Sequence, residues 1–158
     1  MFREPFIIIP VGIPCSGKTT LRGEYLEKYP DMCVISPDDI RMKILDYERT
    51  GIASDPSIED EVWERAFNAL ARCTCMRKNI FFDATNLTVW AREQILDEID
   101  DSYRKIAIFL DVPVSVALER LKNRERKVPE DRIRAMYAMM EEPSTCEGFD
   151  EVVTRQSC

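Results

Sequence analysis

Residues 11–20 read VGIPCSGKTT and follow directly on the apolar run FIIIP at residues 6–10. Gly12 and Gly17 enclose four residues, and Lys18 and Thr19 come next, which is the full spacing of a phosphate-binding loop. A strand entering such a loop and a helix leaving it aim backbone N–H groups and the positive end of a helix dipole at one anion. Lys18 is then expected to reach the β and γ phosphates of ATP and Thr19 to ligate Mg²⁺, with Cys15, Ser16 and Thr20 completing the cradle. A Gly-rich turn with no ligand explains the glycines but not the Lys-Thr that follows them.

Composition bounds what surrounds this loop. The chain has 158 residues, 45% hydrophobic and 32% charged, as expected of one globular domain spanning residues 1–158 rather than a disordered or membrane-inserted chain. The N-terminal apolar run is too short for a signal peptide or a span, so a cytoplasmic protein with no membrane partner is expected. Six cysteines without an export signal read as reduced thiols, and Cys73-Thr74-Cys75 lacks the spacer of common metal or redox pairs. There is no histidine, so a general base has to be a carboxylate, lysine or cysteine.

The net charge of −7 argues against holding a long nucleic acid by bulk attraction. Between Leu118 and Arg134, however, seven basic residues face four acidic ones. Such a run is ordinarily a solvated helix face, but a phosphate site requires cations nearby.

Apolar runs bounded by turn signals predict buried parallel strands at Phe6 to Val11, Cys33 to Ile35, Ile80 to Phe82, Ile106 to Leu110 and, more faintly, Glu151 to Thr154. Helical patterns fill the gaps. Ser36 with Pro37 behind it is a favoured helix start. Ser57 to Asp60 resembles a capping box before a helix carrying Val62, Ala66, Leu70 and Cys73, and Thr88 and Pro129 begin two more. Alternating strands and helices give an α/β fold, a parallel sheet of about five strands flanked by helices, with the basic segment as a lid. Residues 46–56, DYERTGIASDP, read as a long irregular connection and a candidate substrate flap.

Ligands in an open parallel sheet sit at the carboxyl ends of the strands. After the second predicted strand comes SPDDIR, residues 36–41, where Asp38 and Arg41 share a helical face by their i, i+3 spacing. A surface ion pair at a helix start explains that spacing equally well. Beside a phosphate loop, a carboxylate that orients and deprotonates an acceptor hydroxyl explains more. After the third comes FFDATN, residues 81–86. Asp83 is placed to help hold Mg²⁺ or orient the loop, and Thr85 and Asn86 either shape the acceptor pocket or turn the chain. Arg120 and Arg124, four apart, are candidates to close over the phosphates, with Arg126 and Lys127 as neighbouring competitors.

Taken in order, GIPCSGKTT, SPDDIR, FFDATN, LERLKNRERKVP and PSTCEGFDEVV resemble the kinase domains of bacteriophage and animal polynucleotide 5′-hydroxyl kinases over essentially the whole chain. The resemblance implies that Lys18 and Thr19 bind ATP and Mg²⁺, that Asp38 is the general base, that Arg41 holds the acceptor's 3′-phosphate and that Arg124 is the lid arginine. Asp39 is then a helix-cap neighbour. The sequence departs from the phage pattern at Ser36-Pro37, ahead of Asp38.

The expected activity is transfer of the γ-phosphoryl of ATP to the 5′-hydroxyl of a DNA or RNA end or of a nucleoside 3′-monophosphate. A small-molecule or zeta-toxin-like kinase is the alternative enzyme, and a nucleotide-dependent switch the alternative without an acceptor. A homo-oligomer is compatible with any of the three.

Overall fold

The computed structural model describes residues 4–125 and 128–156; the sequence expectations for Arg126 and Lys127 lie outside the described residues. Five strands form one sheet in the order β2-β3-β1-β4-β5, with every neighbouring pair parallel. They are β1 Phe6–Val11, β2 Cys33–Ile35, β3 Ile80–Phe82, β4 Arg104–Asp111 and β5 Glu151–Gln156. Between them run α1 Lys18–Lys28, α2 Pro37–Ile44, α3 Tyr47–Thr50, α4 Glu59–Cys75, α5 Val89–Leu96, α6 Val114–Leu121 and α7 Glu130–Met139.

The central strand β1 explains the architecture. Alternate residues of a strand face opposite sides, yet Ile7, Ile8 and Ile9 are all fully buried, so helices cover both faces. Ile7 and Ile9 pack with Leu70 of α4, Ile80, Phe82 and Ile95 of α5. Ile8 packs on the other face with Leu21 of α1, Phe81, Ile108 and Leu110. A third cluster, Ile13, Leu87, Val112, Ala117, Leu121 and Ile133, anchors α6 and α7 beside the phosphate loop, and so fixes the base of the basic segment.

Four details differ from the sequence reading. β4 and β5 extend past their apolar runs, because Phe6 pairs with Arg104 and the β4 to β5 ladder continues to Asp111 and Gln156; backbone pairing does not require apolar side chains. The Ser57 to Asp60 capping box does not form. Asp55 caps instead, its carboxylate accepting from the Ser57 amide, with Pro56 first in a short 3₁₀ turn. Residues 46–56 are also not wholly irregular, since Tyr47–Thr50 makes one helical turn closed by Gly51 at φ 69°. No helix among the described residues is long and apolar enough to cross a membrane.

Candidate active site

The phosphate loop is built as its residues require. Gly17 has φ 105° and hands the chain to α1 at Lys18, a left-handed conformation that favours glycine. At Gly12 a Cβ would lie 2.5 Å from Ser16 Oγ and 3.1 Å from Leu110 Cβ, so only glycine lets the loop fold over itself. The Gly12 amide donates to Thr85 O at 3.1 Å, which ties this loop to the turn after β3. The first turn of α1 holds no acidic residue, leaving its positive dipole end uncompensated.

Lys18 Nζ donates to Gly12 O and Ile13 O, each at 2.9 Å. The residue is half-buried, but protein surrounds the ammonium itself. Burial lowers its pKa from 10.5 to about 8, opposed by the nearby Asp83 carboxylate. Ser16 Oγ is buried with no hydrogen-bond partner among the described residues. An orphaned hydroxyl is costly, and one in this loop, packed against Gly12, matches an anion with acceptor oxygens. These groups fit a nucleoside triphosphate, and Thr19, exposed in the first turn of α1, together with Asp83 fits its Mg²⁺.

Opposite the loop, Ser36 caps α2, its Oγ accepting from the Asp39 amide at 3.1 Å, and this directs Asp38 and Asp39 from the first turn. Arg41 Nη1 meets Asp38 Oδ1 at 3.0 Å, the predicted i, i+3 contact. Sequence reasoning missed that Glu59, at the start of α4, grips the same guanidinium with two bonds, Nε to Oε1 at 2.6 Å and Nη2 to Oε2 at 3.0 Å. Of the five N–H groups an arginine carries, three are thereby used. The bond to Arg41 lowers the Glu59 pKa, so its carboxylate stays ionised.

Asp39 is more than a cap neighbour. Arg22 Nη1 bridges it at 3.2 Å to Asp83 at 3.0 Å, joining α1, α2 and the end of β3. The available signal for Arg22 was its position, four after Lys18 on one helix. Asn86 turns the chain, its amide donating to Pro10 O, Phe82 O and Ala84 O with φ at 49°, and it also lines the cavity. Thr85 lines the cavity beside it. Arg120 Nη1 donates to Cys15 O at 3.1 Å, and Arg124 Nη1 lies 3.6 Å from Cys15 Sγ, so both arginines rest on the phosphate loop. Cys15, with φ 66°, supplies these contacts.

One cavity of about 1840 Å³ takes in the loop from Cys15 to Thr20, Asp38, Arg41, Asp83, Arg120 and Arg124. The phosphate loop, the carboxylates of α2 and β3 and several arginines thus share one space.

A parallel sheet with a phosphate loop after its central strand, a helix-borne Asp-Arg pair facing it and arginines resting on the loop defines a P-loop kinase domain. The family model AAA_33, described as an AAA domain, matches residues 7–143, and the chain belongs to that family. Among curated proteins it is 26% identical to the mitochondrial GTP:AMP phosphotransferase of Saccharomyces cerevisiae, over 94% of this chain and 70% of that one. Among solved structures it resembles a chain of the Pnkp1/Rnl/Hen1 RNA repair complex, with TM-score 0.75 and 19% identity over 95% of this chain. It spans about half of that chain's length, 48%. A gluconokinase from Sinorhizobium meliloti 1021 is similar with TM-score 0.63 and 18% identity, over 98% of this chain and 84% of that one. Likenesses at these identities show the fold.

Proposed function

We propose that this domain transfers the γ-phosphoryl group of ATP to the 5′-hydroxyl of a nucleic acid end or of a 3′-phosphorylated nucleotide. The observation that carries the reading is the Asp38–Arg41 pair at 3.0 Å, opening on the same cavity as Lys18. Asp38 takes the proton of the attacking hydroxyl, and Arg41, held by Glu59, offers its remaining N–H groups to the acceptor's 3′-phosphate. Lys18 leaves the loop carbonyls for the triphosphate. Arg124 and Arg120 stabilise charge spreading over the transferring group. Thr19 and Asp83 would hold Mg²⁺, which when bound neutralises phosphate charge. The likeness to a chain from an RNA repair complex supports this acceptor class.

The test is label transfer from γ-labelled ATP with Mg²⁺ to a 5′-hydroxyl oligonucleotide, a nucleoside 3′-monophosphate, AMP and gluconate in parallel. Label on the first two is expected. Label on AMP or gluconate alone makes this a small-molecule kinase, and hydrolysis indifferent to every acceptor makes it a switch.

A further inference from the structure

The cavity continues past Arg41 along a wall of large apolar side chains that the phosphate chemistry does not use. Trp63, one turn into α4, lines it with Phe67, Tyr47 and Met42. Trp63 is 38% exposed, a large indole surface left toward water inside a concave site. Its ring leans on Phe67, with centroids 6.3 Å apart. Glu59 stands one turn earlier on α4, at the i, i+4 spacing that shares a helical face with Trp63. Glu59 is also the residue that clamps Arg41 with two bonds. The first two turns of α4 therefore carry both the carboxylate that holds Arg41 and an aromatic plate, lining one cavity with Asp38.

Resting on the kinase reading above, we propose that Trp63 is the stacking platform for the nucleobase of the acceptor's first nucleotide, whose 3′-phosphate Arg41 holds. A π face tolerates any of the bases, so the site selects a base-bearing acceptor without choosing its sequence. The chemistry of the wall argues for this occupant over a hydroxy acid. A polyol chain needs hydrogen-bond donors and acceptors along its length, whereas this wall presents rings and a thioether. A nucleotide brings a flat apolar face and an anion together, and Trp63 and Arg41 present the two complements in one cavity.

The experiment compares kcat/KM for a nucleoside 3′-monophosphate with that for methyl riboside 3-phosphate, which keeps the 5′-hydroxyl and the phosphate and lacks the base. Base–aromatic stacking corresponds to roughly 5- to 150-fold, so the wild type should prefer the nucleotide within that range. Trp63→Leu should lose most of the preference while still phosphorylating the abasic acceptor, which also reports that the variant is folded. Trp63→Phe should keep most of it. Nucleotide binding should quench tryptophan emission in the wild type, and Trp63→Leu should lose that quench. Equal use of both acceptors by the wild type, or an undiminished preference in Trp63→Leu, overturns the proposal while leaving the kinase reading intact. Failure of both acceptors, with transfer to gluconate or AMP instead, overturns both.

Discussion

A single nitrogen of Arg22, Nη1, lies 3.0 Å from Asp83 and 3.2 Å from Asp39. The bridge fixes the carboxylate at the end of β3 relative to the helix that carries Asp38. Asp83 is the more enclosed partner, with 16% of its side chain exposed against 48% for Asp39. Losing the cation should therefore be felt chiefly at Asp83. Arg22→Gln is expected to raise the Mg²⁺ concentration for half-maximal turnover or to lower kcat by roughly 10- to 100-fold, as for other partners of metal-holding groups. A Mg²⁺ titration of activity checks it, and an unchanged titration would make the bridge a purely structural tie.

The same bridge separates the two neighbouring aspartates. Asp38→Asn should lower kcat by about 10²- to 10⁴-fold, the range for a lost general base, with ATP affinity little changed. Asp39→Asn leaves Arg22 paired with Asp83 and should be much milder. Equal losses in steady-state kinetics, with both variants melting early, would show that the acids act through the helix start instead.

Lys18 gives a pH prediction. Burial lowers its pKa from 10.5 to about 8, so the unfolded chain keeps this proton to higher pH than the folded one. Between about pH 8 and 10.5 the unfolded state binds more protons, and Lys18 makes stability rise with pH across that window. Denaturant titrations should show this contribution in the wild type and not in Lys18→Met, which should also have lost phosphoryl transfer. A triphosphate beside the ammonium favours its charged form. Nucleotide binding near pH 9 should therefore take up a proton, measurable by calorimetry in two buffers of different ionisation heat. Proton release on binding would contradict this placement of Lys18.

The parts of this site that were legible in sequence are those set by local spacing. Gly12 to Thr19 and Asp38 to Arg41 each lie within a few residues, so loop and helix geometry alone place them. The strands were legible because Ile7 to Ile9 and Ile80 to Phe82 are continuous apolar runs, as burial on two faces requires. Glu59, Arg22 and Trp63 were not legible in the same way. Arg41 meets a residue 18 positions later, and Arg22 one 61 positions later; nothing in a sequence of alternating charges names those pairings. The late PSTCEGF stretch reads as a motif in sequence, and its physical content lies in three dimensions.

That content is a buried ion pair. Arg92 on α5 is fully buried and joins Glu147, itself 9% exposed, at 2.7 Å. Its Nη1 also donates to Asn86 O at 2.8 Å. Glu147→Gln leaves a buried cation unbalanced and should destabilise the protein by about 3–5 kcal/mol. For a domain of this size that is a fall in Tm of roughly 6–20 °C. The double variant Arg92→Met with Glu147→Met removes both charges and should melt much closer to wild type. Thermal melts of the two separate an unpaired charge from a mere loss of contact.

The last prediction concerns how much of an acceptor is recognised. Arg41 spends three of its N–H groups on Asp38 and Glu59 and has two left for an incoming phosphate. A charged hydrogen bond of this kind is worth about 1.5–3 kcal/mol, or roughly 10- to 150-fold. The whole chain carries −7 and gains little from a long phosphate backbone, so recognition should concentrate on the first nucleotide. A nucleoside 3′-monophosphate should already be an acceptor and the plain nucleoside far poorer, and Arg41→Ala should remove most of that difference. Extending the strand should add little, with a salt slope near one or two phosphates. The measurement is kcat/KM for nucleoside, nucleoside 3′-monophosphate and a longer 5′-hydroxyl strand at two salt concentrations. Equal rates for the first two would remove Arg41 from phosphate recognition and favour a small-molecule kinase. A steep gain with length would instead show that the basic segment from Leu118 to Arg134 governs binding against the acidic whole.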